Sequence, residues 1–143
     1  MLRASDLPLC PSGAAEQPGA VVFGIVGAGE AGGVGYLDRV KPVDAEVLAL
    51  AAPLPPASLY RVAVPCAVGA CGHWEDGACQ IAARMIRHLE PADEALPPCA
   101  IRPACRWWRQ EGPAACRRCP EVTTGPLAPS AVDLILAGEP NAA

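Results

Sequence analysis

The chain contains a single lysine, Lys41, a single phenylalanine and only two tyrosines. Hydrophobic residues make up 52% of its 143 positions, but much of that share is alanine, and three tryptophans supply most of the large aromatic surface. A thick conventional core is therefore excluded. Seventeen prolines and fourteen glycines exclude long helices and strands as well. A chain of this length forms one domain, and one with so thin a core needs some other source of stability. No apolar run is long enough to cross a bilayer, since Pro53, Pro55 and Pro56 break the most apolar stretch. No charged segment followed by an apolar one opens the chain, so no signal peptide is read and a cytoplasmic protein without a membrane partner is expected. Hydrolytic chemistry has no candidates: Asp93 and Glu94 read as solvated loop acids, and no Ser/His/Asp arrangement is visible. A net charge of -4 argues against a general polyanion binder, so nucleic acid is not an expected partner. Arginine in place of lysine, together with abundant alanine, fits a bacterial high-GC genome.

Three stretches carry recognisable order. In the first, Val21 to Val26 leads into Gly27-x-Gly29-x-x-Gly32, the spacing of a dinucleotide-binding turn. Such a turn needs a helix immediately after its glycines, because the pyrophosphate sits on that helix's N-terminus. Here Val34 and Tyr36 continue as a strand toward Val40, so the pattern predicts a β-hairpin with a glycine-rich turn. Asp44 then caps a short helix over 45–51, and a strand over 61–64 leads to Cys66. In the second half, Ile81, Met85 and Leu89 recur at helical spacing and predict a helix over 76–89. Two shorter helices follow, one opened by Pro103 and ended by Gly112, the other opened by Pro113 and closed by Pro120. The expected class is α+β: a small hairpin and short-strand part followed by short helices around a metal cluster. The expected segments are a flexible arm over 1–20, a small α+β segment over 21–65, a cysteine-rich metal-binding segment over 66–120 and a tail over 121–143. An apolar element is expected over 131–137, and residues 21–137 are expected to form one compact domain.

Cysteine is the residue in excess. Seven of the eight fall between Cys66 and Cys119, spaced Cys66-x4-Cys71-x7-Cys79, then nineteen residues, then Cys99-x5-Cys105-x10-Cys116-x2-Cys119. Cys10 stands apart. Without an export signal, such density points to metal ligation rather than disulfides, since thiolates are soft ligands for zinc, copper(I) and iron–sulfur clusters. Buried structural thiols and a disulfide framework remain as alternatives. A zinc site joining the close pairs Cys66/Cys71 and Cys116/Cys119 is another, although it leaves Cys79, Cys99 and Cys105 unused. Iron–sulfur ligation, most simply a [4Fe–4S] cluster, accommodates irregular spacing best. Two arrangements satisfy the arithmetic. In one, Cys99, Cys105, Cys116 and Cys119 hold a cluster, while Cys66, Cys71 and Cys79 hold a second whose remaining iron is open or bound by His73. In the other, one cluster takes four of the seven and the rest are structural or catalytic thiols. Arg102, Arg106, Arg109, Arg117 and Arg118 offset cluster charge in this reading, and Trp107 and Trp108 exclude water.

The stretch PPCAIRPACRWWRQEGPAACRRCP, about a sixth of the chain, resembles cysteine-rich segments of small bacterial iron–sulfur-type proteins. The bacterial ferredoxin run C-x2-C-x2-C-x3-C-P is not present, so no specific activity is carried over. The expected function is electron transfer, or a redox component of a biosynthetic pathway, with a redox protein or biosynthetic enzyme as partner. An open iron would add Lewis-acid chemistry, so whether the chain is an enzyme stays open. A zinc-stabilised interaction module and a redox-sensing regulator are the alternatives.

Overall fold

The computed structural model describes residues 8–29, 33–67, 71–92 and 95–122. Its strands are β1 (Leu9–Cys10), β2 (Val21–Ile25), β3 (Gly35–Pro42), β4 (Tyr60–Pro65), β5 (Trp74–Glu75) and β6 (Ala78–Cys79). Its helices are α1 (Ala45–Ala51), α2 (Gln80–His88), α3 (Arg106–Glu111) and α4 (Pro113–Arg118), joined by single 3₁₀ turns. This is an α+β arrangement of a small sheet and short helices.

Four strands form one antiparallel sheet in the order β1-β4-β2-β3, so β4 and β2 are central. Their period-2 alternation feeds two separate cores. Val22, Tyr60, Val62 and Val64 pack with Val47 and Ala51 of α1. Phe23 and Ala63 pack on the other side with Met85 of α2, Trp107 of α3 and Ala115 of α4. Arg61 shares the parity of Ala63, which places a charge on the helix-facing side of the sheet.

The glycine run behaves as a hairpin turn. Gly27 has φ +82°, the Gly29 N–H donates to the Gly33 carbonyl at 2.8 Å, and the chain returns as β3 rather than entering a helix. At Gly24, beside a register shift in β2, a Cβ would lie 2.7 Å from Val34 Cγ1, so the bulge needs glycine there.

Helix α1 starts as expected, with the Val47 N–H donating to Asp44 Oδ1 at 2.9 Å. Helix α2 starts later than its apolar periodicity suggests. Asp76 and Gly77 both have positive φ, 53° and 76°, and form the two-residue turn between β5 and β6. Asp-Gly is a strong signal for that hairpin turn, and it overrides the helical pattern. Helices α3 and α4 meet at Gly112, φ +70°. Arg118 ties them to α2, its Nε donating to the Leu89 carbonyl at 2.7 Å.

The ends of the chain also differ from expectation. From Leu9 onward the supposed arm is part of the sheet, and Pro11, Gly13 and Ala15 are buried. The apolar Leu9 occupies the otherwise open edge of β4. At the other end Val122 still belongs to the core. The expected element over 131–137 and the acids Asp93 and Glu94 lie outside the described residues. Among the described residues no helix is long and apolar enough to cross a membrane.

Replacing Asp44 with alanine removes the only side-chain cap of α1. A loss of about 1 kcal/mol is expected in urea unfolding of the metal-free chain. An unchanged midpoint would contradict the capping role.

Candidate functional site

The local folding of each cysteine segment decides where its sulfur goes. Antiparallel pairing of β1 with β4 sets Cys10 opposite Val64, and the Cys66 N–H donates to the Pro8 carbonyl at 2.7 Å. Cys10 and Cys66 are thereby brought to one edge of the sheet. Cys79 ends β6 and stands at the N-cap of α2. Gln110 of α3 fixes it from both sides: the Cys79 N–H donates to Gln110 Oε1 at 2.9 Å, and Gln110 Nε2 donates to the Cys79 carbonyl at 3.0 Å. Cys105 stands at the N-cap of α3, after a 3₁₀ turn that follows Cys99. Cys116 lies on α4, and Cys119 begins the turn closed by Pro120.

The eight thiols fall into two sets of four. Cys99, Cys105, Cys116 and Cys119 line one cavity, walled also by Phe23 and Trp107. Cys10, Cys66, Cys71 and Cys79 line a second, together with His73 and Arg106. The first leaves about 20 Å³, roughly the room for one water. The second is larger, about 170 Å³. No carboxylate lines either one. Trp107, 1% exposed, lines the first cavity, while its indole favours the thiolate of Cys79 in the second. It is a wall common to both.

Arg61 is the least expected member of the site. It is 3% exposed. Nη1 donates to the Cys119 carbonyl at 2.8 Å, and Nη2 donates to Cys119 Sγ at 3.2 Å and to the Pro11 carbonyl at 3.3 Å. Its guanidinium also lies 5.3 Å from the Phe23 ring centroid. No carboxylate is among these partners. A buried charge without a counter-charge costs several kcal/mol, and the side-chain group that Arg61 bonds is the sulfur of Cys119.

Unpartnered polar atoms point the same way. Among the described residues six buried side-chain nitrogens and oxygens make no hydrogen bond: Tyr36 Oη, His73 Nδ1, Arg102 Nε, Arg106 Nε, Trp107 Nε1 and Arg117 Nε. Five of the six belong to residues lining the two cavities. Leaving a donor buried and unpaired costs about 1–3 kcal/mol, and a sulfur-rich anionic group is an acceptor for them.

The thiols are set against ionisation when the sites carry no metal. Burial pushes Cys10 and Cys105 from an ordinary 9.0 up to about 12. Burial also raises Cys79, Cys99 and Cys116, against opposing help from nearby N–H groups or, for Cys116, from Arg102. The helix caps contribute here. Ile81 and Ala82 N–H favour the Cys79 thiolate, and Trp107 and Trp108 N–H favour that of Cys105, without completing a side-chain cap bond. Burial raises Tyr36 as well, with the Cys119 thiolate beside it, and lowers His73, with Arg84 adding to the effect. Mutual repulsion of thiolates stays within each set: Cys10 feels Cys79, Cys66 and Cys71, whereas Cys105 feels Cys119 and Cys99.

Several expectations are now decided. None of the eight cysteines is joined in a disulfide, so the disulfide framework is not formed. The pairs Cys66/Cys71 and Cys116/Cys119 lie in different cavities, which removes the zinc site that would join them. Among the described residues no three His, Cys, Asp or Glu side chains converge closely enough for a single metal ion. Cys66, Cys71 and Cys79 do line one cavity with His73, and Cys99, Cys105, Cys116 and Cys119 line the other. The arginines divide. Arg102 and Arg106 line the cavities, stacked on Trp108 at 5.6 Å and Trp74 at 4.9 Å. Arg109 and Arg118 instead bond backbone carbonyls. Cys10, Arg61 and Tyr36 escaped sequence reasoning. Arg61 did leave a signal, being a lone charge within the apolar strand Tyr60–Pro65.

Against known proteins, the chain matches no family model, and no curated protein or solved structure matches it significantly.

A raised thiol makes the folded chain hold its proton more tightly than the unfolded chain does. That stability is complete below about pH 9 and is lost as pH rises toward about 12. The metal-free protein is therefore expected to lose Tm over this window more steeply than a Cys10→Ala/Cys105→Ala variant. Parallel curves would contradict the assignment.

Proposed function

We propose that the chain is an iron–sulfur protein, binding a [4Fe–4S] cluster on Cys99, Cys105, Cys116 and Cys119 and acting in electron transfer or as a redox component of a biosynthetic pathway. The observation that carries this reading is Arg61: a buried guanidinium that donates to Cys119 Sγ at 3.2 Å, and that sulfur lines a cavity with three other thiols and no carboxylate. The donor set supports it too, since Tyr36 and Arg102 present unpaired polar atoms in the lining of the same cavity. A cubane spreads its thiolates more widely than a lone zinc, for which four sulfurs about 2.3 Å from the ion must crowd together. Eight cysteines without a disulfide suit a reducing compartment, in keeping with a cytoplasmic protein.

The bound cluster would supply one-electron chemistry, with an external redox protein as donor or acceptor. The chain's own residues set its conditions. Phe23, Trp107 and Ile101 exclude water. Arg61 and Arg102 place positive charge at Cys119 and Cys116, which favours the more reduced, more negative state. With a space of only about 20 Å³, Cys99, Cys105, Cys116 and Cys119 would have to turn outward to hold a cluster, as rotation between staggered χ1 wells would allow. Because Cys99, Cys105 and Cys116 hold their protons tightly, loading also releases protons and weakens as pH falls.

Anaerobic purification followed by iron, sulfide and zinc analysis tests the proposal. Brown protein, bleached by dithionite and colourless at this site in a Cys116→Ala/Cys119→Ala variant, is expected. A colourless chain carrying about one zinc would overturn it. Arg61→Met, checked for folding by circular dichroism, is expected to lower the midpoint potential by on the order of 60 mV, a tenfold change for a one-electron couple. An unchanged potential would remove Arg61 from the account.

A further inference from the structure

We infer that Cys10, Cys66, Cys71 and Cys79 form a second, fully thiolate-ligated cluster site, with Cys10 rather than His73 as the fourth ligand. The class of occupant rests on the iron–sulfur reading given above; the site itself rests on separate observations.

Cys10 lies fifty-six residues before Cys66 in the chain. Sheet pairing cancels that distance: β1 lies antiparallel to β4, and Cys10 faces the same cavity as Cys66, Cys71 and Cys79. The volume of about 170 Å³ is comparable to cavities of about 150 Å³ that take a benzene-sized guest. Its lining contains no acid, yet Arg106 is there with Nε buried and unpaired, as is His73 Nδ1. Both are placed to meet an anionic, sulfur-rich guest. Backbone N–H groups also serve the thiols. The His73 N–H donates to Cys71 Sγ at 3.4 Å, and Ser12 N–H favours the Cys10 thiolate. With four thiols present, His73 is left to donate a hydrogen bond toward the sulfurs rather than to bind iron, and the open iron expected for a three-cysteine site has no place here.

The two sites share a wall. Trp107 lines the first cavity and approaches Cys79 of the second. Leu9, next to Cys10, makes a bridge to Cys105 of the first set.

Iron counting on the anaerobically reconstituted full chain tests the inference. About eight irons per chain are expected, as two four-iron clusters. Cys66→Ala/Cys79→Ala and Cys99→Ala/Cys116→Ala are each expected to keep about four. A wild-type count of about four, lost entirely in Cys99→Ala/Cys116→Ala, overturns the second site and leaves the first standing. Iron retained in full by Cys99→Ala/Cys116→Ala but lost in the other variant overturns the first and leaves the second. Absence of iron in every form overturns both. The fourth ligand is read separately. Cys10→Ala is expected to give the EPR signal of an oxidised three-iron cluster, and His73→Gln is not; the reverse would overturn the choice of Cys10. Should Cys10→Ala fail to fold, iodoacetamide labelling of the wild type replaces it. Cys10 is expected to be protected until a chelator strips the iron, and equal labelling before and after would reject it.

Discussion

A buried positive charge with sulfur as its counterpart organises this molecule. Arg61 sits in the middle strand of the sheet, at a position where alternation directs its side chain into the helix-facing core. Its two nitrogens reach the carbonyl and Sγ of Cys119, nearly sixty residues later, at 2.8 and 3.2 Å. Breaking such a contact would leave the charge stranded in an apolar interior. The same contact ties the turn after α4 to the central strand β4. Removing the Cys119 sulfur therefore weakens fold and site together.

The thin core follows the same logic. Phe23, Met85 and Trp107 are its large buried members, and much of the remainder is alanine. Short helices begin and end at prolines, glycines and cysteines instead of running long enough to be stable by themselves. What these turns accomplish is placement. Cys79 and Cys105 stand at helix starts, Cys119 in a turn, and Cys10 on an edge strand. Backbone N–H groups and unpaired side-chain donors then face the sulfurs. A metal bound by these cysteines would be coupled to folding, because thiols spread over 110 residues have no common site in the unfolded state.

Much of this was legible in the residues. The hairpin over the glycine run, the Asp44 cap, the central strand before Cys66 and the break at Gly112 all follow from turn chemistry and alternation. The split of Cys99, Cys105, Cys116 and Cys119 from Cys66, Cys71 and Cys79 could be read from spacing. Two things could not. Cys10 looked isolated because a local pattern carries no information about sheet pairing, and only the β1–β4 register brings it to its partners. Arg61 was visible as a lone charge between Tyr60 and Val62, but its partner comes from the far end of the chain. The helix start at Gln80 was missed for a local reason: the hairpin signal of Asp76-Gly77 competes with the apolar repeat, and the turn wins.

X-ray absorption at the iron and zinc edges of the anaerobically purified full-length protein addresses the central claim most directly. The account predicts an iron edge whose fine structure holds a sulfur shell followed by an iron–iron shell. A zinc edge alone, with a single sulfur shell and no metal–metal scattering, would contradict it.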